Sequence, residues 1–150
     1  MTRVCIVGTD EVTLRYELLS RETARAALST YDLREPFANS LAVETVSLGA
    51  AVSLLNDLNW YLVRYADLAM VLEPSVSETE WLSRRLATAV RNETVPVDAT
   101  DRYLTVYGVV DDRLVEPMYV ARTNGDLPEY DLREVEETVT VRVTEDEFEV

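Results

Sequence analysis

With 150 residues, 47% of them apolar, the chain is long enough for a single domain over residues 1–150 and too apolar for a disordered acidic chain. Its formal net charge is −14, its fourteen basic residues are all arginine, and lysine, histidine and glutamine are absent. These absences exclude a Ser-His-Asp triad, histidine-ligated zinc, a Walker A loop and a Schiff-base lysine, so any catalysis would depend on Asp, Glu, Ser, Thr, Tyr, Arg or the single cysteine, Cys5.

The first part of the chain alternates between strand and helix patterns. A short apolar run predicts a strand over residues 3–7, and a turn follows it. Residues 11–30 predict one helix, although the alternation of apolar and polar side chains over residues 12–19 is also typical of a strand. A second strand is predicted over residues 41–46.

Residues 47–66 are the longest stretch with a helical period, and we expect the chain to fold around them. Apolar side chains recur there at three- and four-residue steps: Leu48, Ala51, Leu55, Leu58, Leu62 and Tyr65. This pattern predicts a helix that is mostly covered. Trp60 lies on the remaining polar strip, between Asn56 and Arg64. We expect either this chain, through residues 123–137 or its C-terminal strand, or a second chain to cover Trp60.

A third strand, apolar throughout, is predicted over residues 68–72, and a helix is predicted from residue 75 to about residue 92. Two overlapping capping boxes predict the start of that helix: Ser75 with Glu78, and Ser77 with Glu80. The alternation of strands and helices over residues 1–95 is typical of βα units.

The last part of the chain, residues 96–150, is rich in strand patterns. Three strands are predicted, over residues 103–110, 114–121 and 138–143, with a turn at Asp111-Asp112 and a polar connection over residues 123–137. Together the two parts predict an α/β fold, with α+β as the alternative. The predicted architecture is three βα units followed by an antiparallel β-meander, in a mixed sheet flanked by helices.

One pentapeptide, Tyr-Asp-Leu-Arg-Glu, occurs at residues 31–35 and again at residues 130–134. The flanking residues do not match, so the repeat does not indicate a duplicated domain. An aspartate followed three residues later by a glutamate is typical of a capped helical turn, so we interpret the repeat as a reused local turn. The alternative is a paired recognition element with two tyrosines and two arginines.

Five polar or acidic positions follow the predicted strands, where ligands bind in open parallel sheets. Asp10, Glu11 and Glu73 carry carboxylates that suit Mg²⁺, and a helix starting at Ser75 or Ser77 would suit a phosphate. The alternative function is therefore a carboxylate-metal or nucleotide-binding enzyme of a degenerate Rossmann-like type. Helix capping alone explains the same residues, and then no cofactor or metal is expected.

The acidic, lysine-free composition resembles that of proteins from salt-in haloarchaea, whose cytoplasm contains molar KCl. Residues 14–23, 54–62 and 73–82 are similar to a small uncharacterised haloarchaeal family, a domain of unknown function that spans nearly the full chain. This resemblance implies no known activity, cofactor or site.

The leading hypothesis is a halophilic, cytoplasmic binding domain without its own catalysis, acting through protein–protein contact with a partner or as a homodimer. Trp60, Asn56 and Arg64 form the expected interaction surface. No apolar stretch is long enough to predict a membrane span. The densest basic pair, Arg84-Arg85, is too small to predict a strong nucleic-acid interface.

Overall fold

The structure, a computed structural model, describes residues 1–122 and 137–149. Its elements in chain order are β1 (Thr2–Gly8), α1 (Leu14–Leu19), α2 (Glu22–Leu28), β2 (Ser40–Thr45), α3 (Leu48–Asp57), α4 (Asn59–Tyr65), β3 (Ala66–Leu72), β4 (Trp81–Ser83), α5 (Arg84–Arg91), a short 3-10 helix (Val97–Ala99), β5 (Tyr103–Val110), β6 (Arg113–Ala121), β7 (Glu137–Val143) and α6 (Glu145–Glu149). The predicted class, a mixed sheet with helices packed on it, is confirmed. None of the helices in the described ranges is long and apolar enough to cross a membrane.

The seven strands form one sheet in the order β2-β1-β3-β4-β7-β5-β6. Strand β1 is antiparallel to both of its neighbours, β2 and β3. Among the described strand pairs, β4 with β7 is the parallel one, and β5 lies between β6 and β7. The βα alternation along the chain therefore does not produce neighbouring parallel strands, and the expectation that the first three strands end at one edge of the sheet is wrong.

Helices α1 to α5 pack on one face of the sheet because alternate strand residues point to that face. Val4 and Ile6 of β1 belong to the same buried cluster as Leu55 of α3 and Leu86 of α5. Cys5, between the two β1 residues, points to the opposite face. The helical face is the main core, in agreement with the prediction that residues 47–66 support the sheet.

The sheet curls, so that the hairpin of β5 and β6 reaches back to β1. Cys5 of β1 packs in one buried cluster with Val109 of β5, although three strands separate them in the sheet. At the hairpin turn, Asp111 and Asp112 have φ angles of 51° and 62°, which are typical of a type I′ turn. The Asp112 carbonyl accepts a hydrogen bond of 2.7 Å from the Ala38 amide, which fixes the curl.

Two long predicted helices are each interrupted. Residues 11–30 form α1 and α2, and residues 47–66 form α3 and α4. Leu58 separates the second pair, with a φ of −92° and a ψ of 2°. The break follows Asn56-Asp57, two residue types whose side chains compete with helical backbone hydrogen bonds. Leu58 is nevertheless fully buried, so the break bends the chain without removing it from the core.

The helix predicted from residue 75 is wrong in its first half. Trp81–Ser83 pairs as β4 with both β3 and β7, and α5 begins at Arg84. Ser83 is its cap, since its Oγ accepts a hydrogen bond of 3.1 Å from the Leu86 amide. Leu82 is fully buried between the two neighbouring strands. Burial and sheet pairing of β4 thus outweigh the local capping signals.

The first copy of the repeated pentapeptide is extended and does not form the predicted capped turn. The amide of Arg34 donates to the Ala42 carbonyl at 2.9 Å, and the amide of Ala42 donates back at 2.7 Å. This isolated bridge runs along the outer edge of β2. The second copy, residues 130–134, and the polar connection at residues 123–136 lie outside the described residues.

Candidate functional site

The predicted carboxylate site is not assembled, because β1 and β3 run in opposite directions. Asp10 and the exposed Glu11 follow the end of β1, whereas Glu73 lies beside its start, where Thr2 Oγ1 donates to Glu73 Oε2 at 2.5 Å. A strand of this length spans about 20 Å, while Mg²⁺ lies about 2 Å from its ligands. Asp10 and Glu73 are therefore too far apart to share a cation. Within the described ranges, no group of three or more acidic or cysteine side chains is arranged to hold a metal.

Ser75 and Ser77 belong to a turn and do not begin a helix. The carboxylate of Glu73 accepts hydrogen bonds from the amide and the hydroxyl of Ser75, at 3.3 and 3.2 Å. Ser77 Oγ accepts from the amides of Thr79 and Glu80, at 3.3 and 3.0 Å. The helix start that was predicted to bind a phosphate is absent from this turn.

The remaining reactive side chain, Cys5, lies in the middle of β1 and is fully buried. Burial raises the pKa of its thiol to about 12, although the nearby charge of Arg3 acts to lower it. The thiol therefore stays protonated at neutral pH, and a protonated thiol is a poor nucleophile. Cys5 is a small core residue.

A cavity of about 550 Å³ lies where the end of β1 meets the start of β6, beside Asp10. Four charged side chains in its wall form two ion pairs: Asp10 lies 3.7 Å from Arg113, and Arg15 lies 3.3 Å from Glu35. The wall also includes Asn39, which accepts from the Leu14 amide and donates to two carbonyls of the β1–α1 connection. Structural hydrogen bonds and exposed ion pairs therefore occupy Asn39 and both arginines of this cavity.

The predicted interaction residue Trp60 is half-exposed on α4. It is 47% exposed, and Val63, one turn further along the helix, is 72% exposed. Tyr61 and Leu62 of the same helix are buried. The guanidinium of Arg64 lies 3.8 Å from the centroid of the Trp60 ring, and Arg64 Nη1 donates to the Trp60 carbonyl at 2.8 Å. The helix thus presents an apolar pair with a cation stacked on it.

A second arginine, Arg21 at the N-terminal end of helix α2, lies beside the Trp60 ring. The guanidinium of Arg21 lies 5.5 Å from the Trp60 ring centroid, and its Nη2 donates to the Tyr65 hydroxyl at 3.1 Å. Arg21 is also 3.6 Å from Glu17. We call Trp60, Val63, Arg64, Arg21 and Tyr65 the Trp60 surface. Among the described residues, the ring contacts of Trp60 come from these two arginines and from Tyr61 and Tyr65. They do not come from the C-terminal strand, β7, which was one of the elements expected to cover Trp60.

Asn56, the third predicted interaction residue, contacts α5. Its Oδ1 accepts a hydrogen bond of 3.2 Å from Arg84 Nη2, and Asn59 Oδ1 accepts one of 2.8 Å from Arg84 Nη1. Burial lowers the pKa of Arg84, but a guanidinium still keeps its charge at neutral pH. Asn56 therefore lies on the side of α3 that faces Arg84, the first residue of helix α5.

Helices α4 and α5 carry four arginines and no acidic residue: Arg64, Arg84, Arg85 and Arg91. The chain as a whole has 28 acidic residues. These two helices are therefore basic in a chain whose net charge is strongly negative, although Asp67 and Glu147 line the groove between them.

The sequence matches a family model described as Family of unknown function (DUF5804) over residues 2–109. The chain belongs to this family. No curated protein and no solved structure matches the chain significantly. The prediction of an uncharacterised domain is thereby confirmed, although the match ends in β5 and does not span nearly the full chain. The DUF5804 match includes the whole Trp60 surface and helix α5.

A buried ion cluster, which the sequence interpretation missed, joins the DUF5804-matched part to the strands beyond it. Glu80 accepts hydrogen bonds from Arg122 Nη2 at 2.7 Å and from Arg142 Nε at 2.8 Å. Arg142 Nη1 also donates to Thr100 Oγ1 at 2.9 Å. The three charged side chains are only 12 to 19% exposed. The capping pattern assigned Glu80 to a helix start, and the strand pattern over residues 138–143 pointed to no partner for Arg142, so the sequence did not indicate this contact.

Electrostatics within this cluster favour the charged form of Glu80. Burial acts to raise the pKa of its carboxyl group, but the hydrogen bonds and charges of Arg122 and Arg142 together hold the pKa below its ordinary value. Glu80 is therefore ionised at neutral pH and compensates two partly buried guanidiniums. The arrangement ties the β4 region to β6 and β7.

Proposed function

We propose that this protein is a binding domain without catalysis of its own, and that it contacts an acidic protein partner through the Trp60 surface. The observation that carries the proposal is the exposure of Trp60 beside the still more exposed Val63 on one face of α4. Tryptophan and arginine are enriched among the residues that dominate binding energy at protein interfaces. Burying an apolar pair next to a stacked guanidinium would supply both affinity and orientation.

The charges around Trp60 favour an acidic partner. Among the described residues, Arg64 has no carboxylate within 4.0 Å, and Arg21 has a single, long contact with Glu17. A carboxylate from a partner would find donors already held in place by Trp60 and Tyr65. Pre-organised donors reduce the entropy that binding costs.

The same charges disfavour an isologous homodimer, which is the other partner expected from the sequence. A two-fold axis through the Trp60 surface would place Arg21 and Arg64 of one copy against the same arginines of the second. Like charges facing each other across an interface cost several kcal/mol. We therefore propose that the partner is a different protein and that this chain alone is a monomer.

We further propose that binding takes place in the cytoplasm of a haloarchaeon, as the lysine-free composition and the net charge of −14 suggest. At about 1 M salt the Debye length is about 3 Å, so the arginines would act only on groups in direct contact. Burial of Trp60 and Val63 does not depend on unscreened charge. We expect the apolar pair to supply most of the affinity, and the arginines to supply selectivity.

A peptide-display selection in about 2 M KCl, where screening is nearly complete, tests the proposal. Random peptides are selected on the intact protein, and the enriched sequences are measured for binding to two variants, Trp60→Ala and Tyr119→Ala. Tyr119 is a matched control because it is also an exposed aromatic residue, at 58%, but lies on the edge strand β6. We expect acidic peptides that require Trp60 and tolerate Tyr119→Ala.

Light scattering on the same samples separates the proposal from self-association. A monomer that selects acidic peptides supports a heterologous partner. A stable dimer that Trp60→Ala dissociates, or enriched peptides that lack acidic residues, would count against it.

A further inference from the structure

A groove of about 430 Å³ between α3 and α5 carries basic and neutral polar groups and no carboxylate. It is lined by Asn56, Arg84, Arg85, Thr88, Ala89, Asn92 and Thr94. Its volume falls within the range of about 300–1,000 Å³ that is typical of small-molecule sites. The larger cavity beside Asp10 differs from this groove in one decisive respect, because acidic partners already neutralise the arginines there.

Arg84 is held in the groove by neutral groups that orient its guanidinium without cancelling its charge. Asn59 Oδ1 and Asn56 Oδ1 accept from its two terminal nitrogens at 2.8 and 3.2 Å. Across residues 1–122 and 137–149, no ion pair within 4.0 Å joins Arg84 or Arg85 to a carboxylate. The neighbouring carboxylates of Asp67 and Glu147 line a different groove beside α4 and lie beyond ion-pair distance of both guanidiniums.

The position of these two arginines is also unfavourable for helix stability. Arg84 and Arg85 are the first two residues of α5, at the end of the helix where the macrodipole is positive. The nearest acidic side chain at the cap, Glu147, accepts a hydrogen bond of 2.6 Å from Ser83 and does not pair with either guanidinium. A bound anion would relieve the repulsion between two guanidiniums and the helix terminus.

Two side-chain amides add donors to the same groove. The carbonyl oxygen of Asn56 accepts from Arg84, and that of Asn92 accepts from Arg91 at 3.4 Å. Each oxygen is therefore directed to an arginine, which leaves the NH₂ group of each amide to donate to a ligand. Guanidinium and amide donors around one groove are the combination that binds a phosphate.

We propose that this groove binds a small phosphate-bearing anion, with Arg84 and Arg85 pairing with the phosphate and Asn56 and Asn92 donating to its oxygens. Two cations match the charge of about −2 that a phosphate monoester carries at neutral pH. The site is independent of the partner proposed for the Trp60 surface, because Trp60 and Val63 do not line the groove. Its failure and the failure of the protein partner are therefore separate results.

Titrations with pyrophosphate and inorganic phosphate test this proposal, with the Asn side-chain NH₂ signals as the NMR readout. We expect saturable shifts at Asn56 and Asn92 in the unmodified protein. Arg85→Gln should weaken binding by about tenfold, because one charge-assisted hydrogen bond is lost. Arg85 is exposed, so this variant retains the fold. The double variant with Arg84→Gln should abolish the saturable response.

The matched control is Arg25→Gln, which removes the same charge from an exposed position on α2, outside the groove lining. It should bind pyrophosphate as the unmodified protein does. A non-saturable response in the unmodified protein would overturn the proposal, as would equal weakening by Arg25→Gln or saturable binding to the double variant. Succinate, a dicarboxylate of similar charge, should bind more weakly than pyrophosphate, and equal binding would overturn the assignment of a phosphate.

Discussion

The guanidinium of Arg64 lies over the ring of Trp60, with 3.8 Å between the guanidinium carbon and the ring centroid, one turn away on the same helix. A hydrogen bond of 2.8 Å from Arg64 to the Trp60 carbonyl closes the contact. Both side chains are thus ordered before any partner arrives, which lowers the entropic cost of binding through them. Trp60 and Arg64 are joined by two contacts, the stacked guanidinium and this hydrogen bond, within the Trp60 surface.

Replacing Trp60 with alanine should reduce the free energy of unfolding by only about 1–2 kcal/mol, because the ring is half-exposed and its cation–π contact is a surface one. Leu55→Ala is the matched comparison, since Leu55 is fully buried on the preceding helix. That variant should lose about 2–5 kcal/mol. Urea unfolding at constant KCl measures both. A loss at Trp60 equal to that at Leu55 would indicate a core residue and weaken the case for an interaction surface.

Glu80→Gln should reduce the free energy of unfolding by about 2 kcal/mol, because it removes the carboxylate that compensates the charge of the partly buried Arg142 and pairs with Arg122. Glu44→Gln serves as the control. It removes a glutamate whose contact with Arg3, at 3.4 Å, is nearly half-exposed, and such pairs contribute less than about 1 kcal/mol. Equal effects of the two variants in urea unfolding would contradict a stabilising role for the cluster.

Stability should also fall in acid because of Glu80. Its pKa in the folded protein is lower than the ordinary value of 4.5, so the folded state holds the Glu80 proton less tightly than the unfolded state. The resulting stabilisation is fully present above pH 4.5 and is lost as the pH falls through the lower, folded-state pKa. Unfolding free energies of the unmodified protein and Glu80→Gln should differ above pH 4.5 and converge below the folded-state pKa, where Glu80 is protonated and uncharged like glutamine. A constant difference between them at all pH values would contradict this linkage.

The melting temperature should rise as KCl is added up to molar concentrations. The net charge of −14 repels itself at low ionic strength, and screening by salt removes that repulsion. Sucrose at matched osmolality is the control, because it stabilises folded proteins without screening charge. If sucrose gives the same increase as KCl, or if KCl lowers the melting temperature, the halophilic interpretation is wrong.

Strand and core positions could be predicted from the sequence where apolar residues form uninterrupted runs. Residues 3–7 and 103–110 are strands as predicted, and the apolar side of residues 47–66 supports the sheet. Trp60 was identified because a tryptophan among polar neighbours breaks the helical pattern. These are local signals, and local signals determine which residues are buried more directly than they determine which strands pair.

The directions of the strands and the long-range ion pairs could not be predicted in this way. Nothing in the sequence near β1 specifies that β2 and β3 run against it, and that direction is what separates Asp10 from Glu73. The partners of Glu80 lie 42 and 62 residues away along the chain, so local pattern suggested only a helix cap. Pairing over such separations is decided by tertiary packing, which a single sequence does not report.

The most direct test of the proposed function is the dissociation constant of the selected acidic peptides, measured in about 2 M KCl for the unmodified protein, Trp60→Ala and Tyr119→Ala. If the Trp60 surface is the binding site, Trp60→Ala should weaken binding by about 30-fold, the equivalent of about 2 kcal/mol for an interface hot spot. Tyr119→Ala should bind like the unmodified protein. Equal affinities for all three proteins would contradict the assignment of binding to the Trp60 surface.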